Sequence, residues 1–124
     1  MARVKQLTVS LENQPGRLAA LAKVLADAKV NIEAVLGSTT GVQGSAQLVV
    51  DNVAKAKKAL SAAQFAYTEG TLDRVELPNK AGALADLAAK LAKNGVNIDA
   101  AYGTVSKGAR KSVLLLATSK PVGR

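Results

Sequence analysis

Two short segments hold the residues of this chain best placed to do chemistry. The first is Asn13-Gln14-Pro15-Gly16-Arg17-Leu18 and the second is Asn79-Lys80-Ala81-Gly82-Ala83-Leu84. Each lies between a strand-like run and a run with helical spacing, so each carries the end of a strand into a helix N-terminus. Free N–H groups and the positive end of the helix dipole gather at such a turn, where a carboxylate or phosphate can dock. Gly16 has no side chain to keep a ligand from the backbone, and Pro15 suits the first helical turn. Arg17 and Lys80 add a cation to each segment. Two roles fit Asn13 and Asn79: caps for the helices, or polar contacts to a ligand. Both segments keep Asn and Gly while Pro15 becomes Ala81, which favours the second role.

Composition excludes much other chemistry. The 124 residues include no Cys and no His, so disulfides, zinc sites, thiol nucleophiles and Ser-His-Asp relays are ruled out. No metal or cofactor is expected. Glu12, Glu33, Asp51 and Asp99 form no evident acid–base pair, so no enzyme activity is expected either. The net charge of +8 favours anionic partners. Its tightest cluster, Lys55, Lys57 and Lys58, surrounds Val53, Ala56, Leu60 and Ala63 and reads as the solvated face of an amphipathic helix. Phe65, Tyr67 and Tyr102 are too few and too dispersed to stack bases, so nucleic-acid binding, resting on net charge alone, is the less favoured alternative function. No apolar run approaches the ~18–20 residues that span a membrane, and the N-terminus lacks a signal-peptide core. A soluble cytoplasmic protein is expected.

The elements that position the two turns come from a repeat. Residues 11–35 and 77–101 align without a gap at an offset of 66. Asn13, Gly16, Leu18, Leu21, Leu25, Val30, Asn31 and Ile32 recur as Asn79, Gly82, Leu84, Leu87, Leu91, Val96, Asn97 and Ile98. Two domains follow, 1–70 and 71–124. Leu7, Val9 and Leu11 mark the opening strand of the first copy, and Leu72, Val75 and Leu77 that of the second. Leu18, Leu21, Ala22 and Leu25, with Leu84, Leu87, Ala88 and Leu91, mark the buried helix faces. Gly95 suits a left-handed helix end, and Lys29 is a poorer residue at the matching place. Ile32, Ala34 and Leu36 alternate as a second strand, followed by a hairpin over 37–44 and a third strand through Ala46, Leu48 and Val50. A helix over 53–63 and a short strand over 66–69 complete a βαββαβ unit of the ferredoxin-like kind.

The second copy continues with strands Asn97–Val105 and Lys111–Thr118. A helix matching 51–63 would fall past residue 117, where Pro121 and Gly123 oppose it, so this copy is expected to be a shortened βαββ unit. The expected fold is α+β, with seven strands in antiparallel sheets and three helices on one face. The shortened copy should expose an apolar strip along Val113, Leu115 and Ala117 or along Leu114 and Leu116, which favours a homodimer.

The succession of strand, Asn-x-x-Gly-x-Leu, amphipathic helix and Val-Asn-Ile strand resembles the ACT domain, a small regulatory module that binds amino acids. Here it stands as a tandem pair, with Lys29 where the family often has Gly and Ala81 in place of Pro15. The resemblance implies an effector at the seam of two units, lined by the turn of one and the second strand of its neighbour. It implies contacts at Asn13, Gln14, Pro15, Gly16, Arg17 and Leu18 with Asn31 and Ile32. The second set is Asn79, Lys80, Ala81, Gly82, Ala83 and Leu84 with Asn97 and Ile98. Backbone N–H groups suit an α-carboxylate, and Asn oxygens can accept from an α-ammonium. Asn31 and Asn97 equally suit turns between helix and strand, and Ile32 and Ile98 suit core positions. The function implied is a non-catalytic amino-acid-binding regulatory protein. It would be either a free-standing sensor or a regulatory subunit acting in trans on a separate enzyme.

Overall fold

The computed structural model describes residues 2–119. Its elements run β1 (Ala2–Glu12), α1 (Arg17–Asp27), β2 (Ile32–Thr40), β3 (Gln43–Val50), α2 (Val53–Ala62), β4 (Tyr67–Pro78), α3 (Ala83–Lys93), β5 (Ile98–Thr104) and β6 (Lys111–Thr118). They fall into two compact units. Lys5–Gly70 form one, and residues 71–119 together with residues 2–4 form the other.

In the Lys5–Gly70 unit the strands lie in the order β2-β3-β1-β4, with β1 and β2 both antiparallel to β3. Leu7, Val9 and Leu11 face α1 and α2 and pack with Leu21, Leu25, Leu48 and Leu60 into one core. Phe65 and Tyr67 close its edge. Asn52 caps α2 by accepting from the Lys55 N–H at 3.0 Å. Glu69 on β4 pairs with Lys57 of α2 at 3.0 Å and with Lys5 at 3.8 Å. The Lys57 hydrogen bond holds the Glu69 carboxyl below its ordinary range, and Glu69 in turn raises the Lys57 ammonium.

The other unit contains β4, α3, β5 and β6, the βαββ succession expected of the second copy, with its strands in the order β4-β6-β5. Val75, Leu87, Leu91, Val96 and Leu116 make its smaller core. Ala2 lies beside Arg74, Val75 and Glu76 in this unit. The described residues form six strands where seven were expected. The strands predicted over 66–69 and 72–77 are one unbroken strand, because Gly70 lacks a positive φ and extends like its neighbours. The region past Thr118, where a further helix was judged poor, lies outside the described residues from position 120 on. Among the described residues no helix is long and apolar enough to cross a membrane.

Three finer expectations change. Leu18 and Leu84, predicted on buried faces, are 54% and 55% exposed, and Ala22 is exposed, while Leu21, Leu25, Ala83, Leu87 and Leu91 are buried. In β2 and β5 the register shifts between Ile32 and Ala34 and between Ile98 and Ala100. Ile32 therefore shares the core face with Val50, while Ala34 and Leu36 turn to the other face opposite Val49 and Gln47. In β6, Leu116 and Leu115 are 0% and 6% exposed, and Val113, Leu114 and Ala117 are half-buried. The expected exposed strip is thus covered, as befits a strand apolar on both faces.

Lys29 has φ 63° and Gly95 φ 71°, so the two helix ends share a left-handed residue. The N–H groups of Val30 and Val96 then reach back to the Leu25 and Leu91 carbonyls, each at 2.9 Å. A β-carbon at this conformation is strained, so Lys29→Gly should stabilise the protein by about 0.5–1 kcal/mol, glycine's extra unfolded-state entropy having been subtracted. Urea unfolding checks this, and a loss of stability would show that the Lys29 side chain contributes more than its backbone costs.

Candidate functional site

The strand–helix turn of the Lys5–Gly70 unit is built on Gly16, which sits at φ 87° just before α1. No side chain caps α1. The Ala20 N–H bonds the Gly16 carbonyl at 2.9 Å, and the N–H groups of the first turn ahead of it have no acceptor within the helix. A β-carbon placed on Gly16 would meet nothing within 4 Å, so the approach to this backbone is open.

Of the two roles considered for Asn13, capping does not match its observed bonds. Its Nδ2 donates to the Gly41 carbonyl at 2.8 Å, and its backbone N–H donates to the Val42 carbonyl at 2.9 Å. Asn13 thus fastens the turn to the tip of the β2–β3 hairpin rather than capping α1. Asn79 does the same in the second copy. Its Nδ2 donates to Ala109 at 2.7 Å and its N–H to Arg110 at 2.8 Å, while Gly82 stands at φ 91°. The repeated Asn and Gly therefore brace a turn against a hairpin.

Beside the first turn lies a cavity of about 340 Å³. Asn13, Gln14, Arg17 and Leu18 line it from the turn, Leu11 and Glu12 from the end of β1, Gly37, Ser38 and Thr39 from β2, and Gly44, Ser45 and Ala46 from β3. A smaller cleft of about 220 Å³ opens on the other side of Glu12 and Arg17, against Gln64 and Phe65. The Arg17 guanidinium carbon stands 5.4 Å from the centre of the Phe65 ring. Its Nε is buried and has no hydrogen-bond partner among the described residues. Ion pairs among the described residues join Lys5 and Lys57 to Glu69, Lys23 to Asp27 and Lys111 to Glu76, and none uses Arg17 or Glu12.

Of the first predicted set, Asn13, Gln14, Arg17 and Leu18 line the cavity, with Pro15 and Gly16 in the turn between them. Asn31 and Ile32 do not join them within this unit. Asn31 precedes β2 and Ile32 opens it, while the cavity uses its far half from Gly37 on, five residues or roughly 17 Å from Ile32. Asn31 exchanges bonds with Asp51, its N–H donating to Oδ1 at 2.9 Å and its carbonyl accepting from the Asp51 N–H at 3.1 Å. Ile32 packs against the first core. The second copy repeats this, with Asn97 bonded to Ser119 and Asp99, and Ile98 against the second core. In the second turn, Asn79, Lys80, Ala81, Gly82, Ala83 and Leu84 keep the same backbone course, but Ala83 is buried where Arg17 faces the cavity.

The cavity residues missed in the sequence are Glu12 and the segment Gly37–Thr39. Gly37 recurs as Gly103 at the same offset of 66, two residues beyond the aligned stretch, and that match was the available signal. Among the described residues no group of three or more His, Cys, Asp or Glu gathers to hold a metal ion.

A family model described as "ACT domain" matches residues 5–61 and again 74–122. No protein among the curated sequences matches the chain significantly. Among solved structures, a protein from Bacteroides thetaiotaomicron is 30% identical, with 95% of this chain and 81% of that one covered and a TM-score of 0.90. The ligand-free regulatory subunit of aspartate kinase from Thermus thermophilus shares the fold at 16% identity, covering 92% of this chain and 82% of that one, with a TM-score of 0.68. The corresponding subunit from Thermus flavus aligns at 18% identity over 93% and 85%, with a TM-score of 0.61.

Proposed function

The chain belongs to the ACT domain family, and from that premise we propose that it is a non-catalytic regulatory module that binds a free amino acid at a strand–helix turn. The observation that carries this reading is the cavity of about 340 Å³ beside Gly16, where an unobstructed turn, a helix N-terminus, Arg17 and Leu18 meet. Helix N–H groups and a guanidinium suit an α-carboxylate, and Leu11, Leu18 and Ala46 suit an apolar side chain. Its output acts in trans on a separate enzyme. The fold it shares with two aspartate kinase regulatory subunits supports that part by analogy of architecture alone. Self-association as a homodimer belongs to the same reading. Its support is the pair Leu18 and Leu84, large apolar residues half-exposed at repeat-equivalent positions.

A thermal-shift screen of the twenty amino acids tests the central claim. An amino acid supplied at a hundred times its Kd adds about 2.7 kcal/mol to the apparent stability of a one-site protein. One or a few of the twenty should raise the unfolding temperature and the rest should not. A flat response to all twenty removes the amino-acid reading.

A further inference from the structure

Within that reading, on which it rests, we propose that each chain binds one ligand, in the Lys5–Gly70 unit only, and holds it as a zwitterion between Glu12 and Arg17. Both residues line the two clefts on either side of the turn. Neither is spent on an ion pair among the described residues, so two residues of opposite charge line the same clefts without an ionic partner there. The Phe65 ring beneath the guanidinium limits its swing. A carboxylate meets the outer N–H groups of that guanidinium, and an ammonium meets Glu12.

The second copy carries no charge at either position, and its one turn cation, Lys80, stands at the place of Gln14. The offset of 66 that pairs Asn13 with Asn79 and Gly16 with Gly82 pairs Glu12 with Pro78 and Arg17 with Ala83. Ala83 is 8% exposed and belongs to the interior of its unit. The two copies therefore agree in the residues that brace the turn, Asn and Gly, and differ in the residues that recognise charge. The second turn is scaffold, and the first turn alone is a site.

Isothermal titration of the full chain tests this, using whichever of the twenty amino acids gives the largest thermal shift. Its 2-hydroxy-acid analogue, which lacks the ammonium, and its decarboxylated amine serve as probes of each charge. The expected result is one ligand per chain, with both analogues weaker by roughly 10- to 100-fold. Arg17→Met and Glu12→Gln should each weaken the amino acid by a similar ~10- to 100-fold factor. Arg17→Lys should recover part of the loss, since it restores the charge without the fork of donors. Far-UV circular dichroism establishes that each variant is folded. If Arg17→Met is not, Glu12→Gln decides alone, because Glu12 is exposed. Two ligands per chain would overturn the single-site assignment while leaving the amino-acid function intact. So would affinities within about twofold of the parent in both Arg17→Met and Glu12→Gln. Absence of any response to the twenty amino acids would overturn both.

Discussion

Gly103→Ala should destabilise the protein by roughly 1–3 kcal/mol and Gly103→Val by more, whereas Gly37→Ala should stay within about 0.5 kcal/mol of the parent. The two glycines occupy equivalent places in the repeat, yet their surroundings differ. A β-carbon on Gly103 would stand 2.5 Å from the Val113 carbonyl oxygen and 3.2 Å from the Leu114 Cα. Both obstacles are backbone of β6, the strand to which β5 is paired, so neither can rotate away as a side-chain tip would. Relief must come from moving β5 off β6, which weakens the ladder and loosens the cover over Leu114 and Leu116. At Gly37 the same added carbon meets nothing within 4 Å. Neither position has a positive φ, so conformational freedom is not the reason for glycine at either. Urea unfolding followed by circular dichroism compares the pair directly. A Gly103→Ala protein as stable as the parent would mean that β5 and β6 are not held at the separation described here.

Much of this fold is local in origin, and that part is readable from the chain. The turns, the helices and the hairpins each follow from residues within a few positions of one another, and their recurrence at a fixed offset identifies two copies. What escaped reading is non-local. The amides of Asn13 and Asn79 have their acceptors on Gly41 and Ala109, in hairpin tips 28 and 30 residues away. Nothing near either Asn distinguishes such a brace from a cap. The register shifts at Ile32/Ala34 and Ile98/Ala100 leave no mark either, because Glu33 and Asp99 are ordinary exposed residues whether or not a bulge is present. Simple alternation then assigns Ala34 and Leu36 to the wrong face. Glu12 was visible as a carboxylate without a catalytic partner. Its relation to Arg17 depends on how the chain bends at Gly16, and only then do the two line a common cavity.

Leu25→Ala and Leu18→Ala should separate stability from binding on a single helix. Leu25 is fully buried with Leu7, Leu21, Leu48 and Leu60, and its truncation should cost about 2–5 kcal/mol, the range depending on how far the core collapses into the void. Leu18 stands only about 20° from Leu25 around the axis of α1, so periodicity assigns both to the same face. It is nevertheless 54% exposed, because two turns nearer the N-terminus that face looks over the cavity rather than over packed side chains. Helical spacing gives the direction of a side chain and says nothing of what lies beneath it. Leu18→Ala should therefore change stability by no more than about 0.5 kcal/mol, as expected of a largely solvated residue. Its effect should appear in ligand affinity, where removing an apolar contact worth ~1–3 kcal/mol weakens binding by roughly 5- to 150-fold. Chemical unfolding and titration of both variants measure the two effects independently. A Leu18→Ala protein destabilised as much as Leu25→Ala would place Leu18 in the core and close the cavity proposed as the site. Equal ligand affinity in Leu18→Ala and the parent would move the ligand's side chain away from this wall.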